Sequence, residues 1–180
     1  DMAIGDLDND GDLDMYWTNG VDSEGAQNVL LINERTSNDP TSPVFYTGRK
    51  FEEQSTKPVG GVSRLPLVPF LDEDGNPITT EDAILPIDDS VAARFLDYDN
   101  DGDQDLLVVN RDSDRAVVPG ANFFRRSYLL TNQGGAQGGT IGTYKFDSDF
   151  FDLIDQNDNG IADSADLLFR AEDVAVGDFG

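Results

Sequence analysis

The sequence predicts an all-β fold of antiparallel, four-stranded, blade-like repeats, and three observations predict it. A nine-residue acidic motif occurs twice, 91 residues apart, as Asp6-Leu7-Asp8-Asn9-Asp10-Gly11-Asp12-Leu13-Asp14 and Asp97-Tyr98-Asp99-Asn100-Asp101-Gly102-Asp103-Gln104-Asp105. Each copy runs into short apolar, β-branched and aromatic segments bounded by Asn and Gly, which is how strands are written. Between the copies stand Pro58, Pro66, Pro69, Pro77 and Pro86, which exclude a central strand or a long helix there.

Taken in order, Asp1–Gly5 reads as a strand already under way, Met15–Asn19 as a second and Asn28–Asn33 as a third. A fourth is predicted from Val44–Tyr46 on to Phe51. The counterparts after the second motif are Leu106–Asn110, Ser127–Asn132 and Thr143–Phe146. Each repeat is then about four strands in about 80–90 residues, the size of one propeller blade or one small sheet. Ser55–Asp89 is predicted to be a long surface insertion, with Asp72–Pro77 as a hairpin turn inside it, and Gly134–Gly142 a second flexible loop. Asp173–Asp178 repeats the opening pattern, so the expectation is a piece of a longer repetitive protein. The chain divides into a first repeat (1–54), the insertion (55–89), a second repeat (90–150), a further acidic loop (151–172) and the start of a third repeat (173–180).

Thirty-six acidic residues stand against twelve basic ones in 180, a formal charge of −24. Self-repulsion on that scale opposes a compact state unless something neutralises it, and divalent cations are the obvious agents. The same balance excludes nucleic acid and an anionic membrane surface as partners. There is no Cys and no His, which removes disulfides, thiolate chemistry, the usual zinc sites and histidine acid–base catalysis together. No apolar run approaches the roughly 20 residues of a membrane span.

The acidic motif has a specific chemical reading. Carboxylates at loop positions 1, 3 and 5 converge on one point when glycine at position 6 lets the backbone turn, and a carbonyl at 7 and a side chain at 9 complete the oxygen shell that calcium prefers. This assigns Asp6, Asp8, Asp10 and Asp14 by side chain and Asp12 by its carbonyl. In the second loop it assigns Asp97, Asp99, Asp101 and Asp105, with Asp103 by carbonyl. Plain acidic turns are the alternative, but a turn needs only one or two such residues. Magnesium favours fewer protein ligands and more waters. Position 12 holds Trp17 and Val108, so neither loop is an EF-hand; each instead leads straight into a strand. A third loop, Asp155 to Asp166, offers Asp155, Asn157, Asn159, Ile161 by carbonyl, Asp163 and the position-12 acid Asp166, with Ala165–Glu172 as a short exiting helix. An uncoordinated Asx-rich turn competes there. Two or three calcium ions per chain are expected.

Ala3-Ile4-Gly5-Asp6-Leu7-Asp8-Asn9-Asp10-Gly11-Asp12-Leu13-Asp14 and Phe95-Leu96-Asp97-Tyr98-Asp99-Asn100-Asp101-Gly102-Asp103 resemble the FG-GAP/VCBS repeats of integrin-α-like β-propellers, and Val176–Gly180 fits the same opening. The third loop is similar to EF-hand or dockerin loops. The resemblance covers about half the chain and implies a bladed propeller with calcium between adjacent strands, secreted or displayed on cells and used for adhesion or ligand binding. The long insertions and the extra loop depart from it. Two repeats cannot close a propeller, which leaves an open stacked-sheet array or a filament completed between subunits alongside it.

Three functions follow as expectations. The first is an extracellular structural or adhesive module clipped by calcium, whose partners are calcium, other copies of itself or a cell-surface or matrix ligand. The second is a propeller enzyme acting on polysaccharide; its weakness is that nearly all paired carboxylates sit in the ion loops, where a metal-bound carboxylate is a poor general base, so no catalytic residue is assigned. The third is a carbohydrate- or protein-binding platform of Trp17, Tyr46, Phe123, Phe124, Phe150 and Phe151, most of which read more plainly as strand core. Phe123-Phe124-Arg125-Arg126 is a basic patch suited to an acidic neighbouring subunit, with an ordinary surface salt bridge as the competing reading.

Overall fold

Strands form where the sequence alternates apolar and polar residues or runs apolar between Asn and Gly. The computed structural model describes residues 1–19, 26–35, 41, 48–55, 58–59, 62–66, 87–88, 90–110, 127–147 and 173–176. Its strands are β1 (Met2–Gly5), β2 (Asp14–Trp17), β3 (Ala26–Gln27), β4 (Val29–Arg35), β5 (Arg49–Glu53), β6 (Pro58–Val59), β7 (Val62–Ser63), β8 (Ile87–Asp88), β9 (Ser90–Leu96), β10 (Asp105–Asn110), β11 (Tyr128–Asn132) and β12 (Tyr144–Asp147). The fold is all-β, with two open four-stranded antiparallel sheets ordered β1-β2-β4-β5 and β9-β10-β11-β12. Two short pairs, β3 with β8 and β6 with β7, accompany them.

Period-2 alternation decides which residues face the core. Ala3, Tyr16 and Leu30 stand opposite one another across β1, β2 and β4, and with Ile32 they form the buried face of the first sheet. Against it lie Ala93, Leu106, Val108, Tyr128, Leu130 and Tyr144 of the second sheet, with Phe95 and Phe146 at the margin. Tyr128 and Phe146 meet edge to face at 6.4 Å. Small residues let β1 pack along β9: a Cβ on Gly5 would collide with Gln104 and approach Phe95 Cδ2 at 2.8 Å.

The two sheets meet through unlike faces. Motif alignment places Leu106 and Val108 at the positions of Met15 and Trp17, not of Tyr16. The face that the second sheet buries against the first is therefore the one the first sheet leaves open. Met2, Ile4, Trp17 and Phe51 on that open face are 46%, 53%, 52% and 49% exposed. Trp17, expected among the strand core, is thus at the surface, because Tyr16 takes the inward position in a strand that alternates.

The proline-rich insertion is not wholly at the surface. Ser55, Arg64 and Leu65 are buried, and the Arg64 carbonyl accepts from Tyr144 N–H at 2.8 Å while Leu65 N–H donates to Ser55 O at 3.2 Å. Gly134–Gly142, expected to be a loose loop, is held by Asn132, whose Oδ1 accepts the N–H of both Gly134 and Gly142 at 3.3 and 3.0 Å. Asp173–Val176 pairs into no sheet, though Asp173 reaches Arg94 of β9 at 2.8 Å. The expected strand at Val44–Tyr46, the turn at Asp72–Pro77, the third acidic loop 155–166, the helix 165–172 and the residues Phe123–Arg126, Phe150 and Phe151 lie outside the described residues. No helix among the described residues is long and apolar enough to cross a membrane.

Candidate metal centre

Each nine-residue motif spans the turn between the first two strands of its sheet. The first begins after β1 and ends on the first residue of β2, Asp14; the second begins after β9 and ends on the first residue of β10, Asp105. Both turns use the same backbone solution. The fourth residue is left-handed, Asn9 at φ 54° and Asn100 at φ 58°, which Asn tolerates better than most side chains. The sixth is Gly11 at φ 87° and Gly102 at φ 92°, a conformation strained for any side chain.

The hydrogen bonds also repeat. Asp6 accepts the N–H of Asp10 and Gly11 at 3.1 and 3.0 Å, and Asp97 those of Asp101 and Gly102 at 3.0 and 3.1 Å. Asp14 accepts from Leu7 and Asn33 at 2.9 and 2.8 Å, and Asp105 from Tyr98 and Asn132, both at 2.8 Å. One carboxylate oxygen each from Asp6, Asp8 and Asp14 lie within 4.8 Å of one another, and likewise from Asp97, Asp99 and Asp105. Opposite ligands of one calcium ion stand about 4.6–5.2 Å apart, so neither set is too wide to share an ion.

Asp10 and Asp101, predicted as ligands, stand outside these triads. Asp10 Oδ1 accepts Asp12 N–H and Asp101 Oδ1 accepts Asp103 N–H, both at 2.9 Å, so each spends an oxygen on closing its own turn. The side chains of Asp12 and Asp103, predicted to act through their carbonyls, are used elsewhere. Asp12 pairs with Arg49 and faces Arg35 at 3.8 Å, and Asp103 accepts from Asn9 Nδ2 at 2.9 Å.

Sequence reasoning missed the residues behind the triads. Arg64 donates to Asp8 Oδ2 at 3.4 Å, to Gln54 Oε1 at 2.7 Å and to the Gly142 carbonyl at 3.0 Å. Asn132 supports Asp105 as Asn33 supports Asp14. The visible signal for that pair was the Asn that ends both Leu-Leu runs, Leu30-Leu31-Ile32-Asn33 and Leu129-Leu130-Thr131-Asn132.

The electrostatics are those of a site short of positive charge. Asp14 and Asp105 are 0% and 1% exposed, and among the described residues no Lys or Arg pairs with either. Burial raises each to a pKa of about 6 in spite of the two backbone N–H groups that favour the anion. Asp8 is raised as well, by burial first and then by the charge of Asp10, and its Oδ1 is buried with no hydrogen-bond partner. Two carboxylates about 5 Å apart at an effective dielectric near 20 repel by about 3 kcal/mol. Three hard carboxylate oxygens in each turn, with the orphaned Oδ1 of Asp8 beside them in the first, fit a hard divalent cation. Comparison with family models, with curated proteins and with solved structures finds no significant match to the chain.

Proposed function

We propose that the chain is a calcium-binding structural or adhesive repeat module of the FG-GAP/VCBS kind, working outside the cell, in which an ion in each acidic turn fastens the first strand of a sheet to the second. The observation that carries this reading is the pair of equivalent Asp triads whose deepest members, Asp14 and Asp105, are buried without a cationic partner among the described residues. In this reading Asp6, Asp8 and Asp14 hold one ion and Asp97, Asp99 and Asp105 another, and the Asp155–Asp166 loop takes a third. External calcium at millimolar level keeps even weak sites of this type full. The unlike-face packing of the sheets supports a blade-like, open array, since the open face of the first sheet matches the face by which the second docks.

Calorimetric titration of the chelated protein with calcium and with magnesium tests the proposal. It predicts two or three calcium ions per chain, weaker magnesium binding and a large rise in melting temperature with calcium. Absence of both binding and stabilisation returns the loops to acidic turns.

A further inference from the structure

We propose that the two acidic turns take up their ions cooperatively, with Asn132 and Asn9 as the positioning residues that carry the coupling; this rests on the calcium reading above. The two triads are joined by a short run of hydrogen bonds. Asp14 Oδ2, in the first triad, accepts Leu7 N–H at 2.9 Å. The carbonyl of the same Leu7 accepts from Asn132 Nδ2 at 3.1 Å. Asn132 N–H then donates to Oδ1 of Asp105, in the second triad, at 2.8 Å. The backbone of one residue, Leu7, and the side chain and backbone N–H of one buried asparagine, Asn132, therefore connect the deepest carboxylate of each turn.

A second contact runs beside the first. Asn9, turned left-handed by its own loop, donates from Nδ2 to Asp103 Oδ1 at 2.9 Å, so a residue inside the first motif touches one inside the second. Asn132 has no freedom to slip. It is 1% exposed, its Nδ2 is shared between the carbonyls of Leu7 and Gln104, at 3.3 Å for the latter, and its Oδ1 holds Gly134 and Gly142. Rotating it strands several buried polar groups at once. Its counterpart Asn33 keeps the bonds to Asp14 and Leu13, but its Oδ1 is buried without a partner. The link is thus a property of the contact between the two sheets rather than of the repeat alone.

The direction of coupling follows from ordering. An ion in one turn fixes its position-9 carboxylate, which fixes Asn132 or Leu7, and through them the carboxylate of the other turn. The second ion then finds a turn already arranged and meets a smaller ordering cost. Repulsion between the two ions acts the other way, and high salt is used below to reduce it.

The test is calcium titration with Asp155→Asn and Asp163→Asn removing the third predicted loop, in about 1 M salt, where the Debye length is about 3 Å and field effects are suppressed. Disabling the second turn with Asp97→Asn and Asp99→Asn is expected to weaken calcium binding at the first by about 5–150-fold, and disabling the first with Asp6→Asn and Asp8→Asn to weaken the second by the same factor. Asn132→Ala combined with Asn9→Ala is expected to leave two sites that bind independently, and Asn9→Ala alone, the variant to use if Asn132→Ala does not fold, to bring the factor down towards one without abolishing it. Two ions bound with each turn unaffected by loss of the other, within about twofold, overturn the coupling and leave the calcium reading intact. No ion bound in either turn overturns both.

Discussion

The guanidinium of Arg64 reaches Oδ2 of Asp8 at 3.4 Å in the first acidic turn while donating to the Gly142 carbonyl of the second repeat at 3.0 Å. One buried cation, drawn from the proline-rich segment between the repeats, therefore ties a carboxylate of the first acidic turn to the neighbouring sheet. Truncating it leaves Gln54 Oε1 and the Gly142 carbonyl without their donor and Asp8 without its counter-charge. Arg64→Ala is expected to destabilise the protein by about 3 kcal/mol, read by urea unfolding. Arg64→Lys should recover only part, because a single ammonium cannot reproduce the forked geometry.

The buried position-9 aspartates set a pH dependence whose sign reverses with calcium. Both have folded pKa values of about 6 against 3.8 in the open chain, so the folded state holds protons that the unfolded state has released. Without calcium their contribution is fully present below about pH 3.8 and is lost as pH rises through about 6, at about 3 kcal/mol per residue. Asp14→Asn and Asp105→Asn should flatten this loss in chelator. With calcium the ion requires the anions, so affinity and stability should rise over the same range. Thermal melts from pH 4 to 8, with and without calcium, measure both limbs.

Gly11 and Gly102 adopt φ of 87° and 92° with nothing within 4 Å of an added Cβ. Space is therefore not the constraint; the backbone is. Gly11→Ala and Gly102→Ala should each cost about 1–2 kcal/mol of stability and weaken calcium binding at the altered turn.

Tyr16 and Trp17 are neighbours on opposite faces of β2, at 1% and 52% exposure. Tyr16→Ala should cost about 3–5 kcal/mol, and Trp17→Ala within about 1 kcal/mol. Trp17 is the chain's single tryptophan, so fluorescence quenching by acrylamide reports its accessibility directly.

What the sequence made legible was local. The acidic turns could be read because alternating Asp with glycine at the sixth place is a pattern nine residues long, and the strands because runs such as Leu106–Asn110 carry their own period. Asp10 and Asp101 carry a second local role that the motif does not show, since the same position also caps the turn through the N–H two residues on. Arg64 was invisible, because a lone arginine among prolines and glycines carries no pattern and its partners lie 10, 56 and 78 residues away. The inward choice of Tyr16 over Trp17 likewise depends on which face meets the second sheet, which alternation alone does not fix.

A crystal structure of the protein grown in calcium, with anomalous scattering used to locate the ions, decides whether the acidic turns hold calcium. A calcium peak is expected about 2.3–2.6 Å from oxygens of Asp6, Asp8 and Asp14, and a second at the same distance from those of Asp97, Asp99 and Asp105. Peaks absent from both triads, with Asp14 and Asp105 protonated or bridged by water instead, would contradict it.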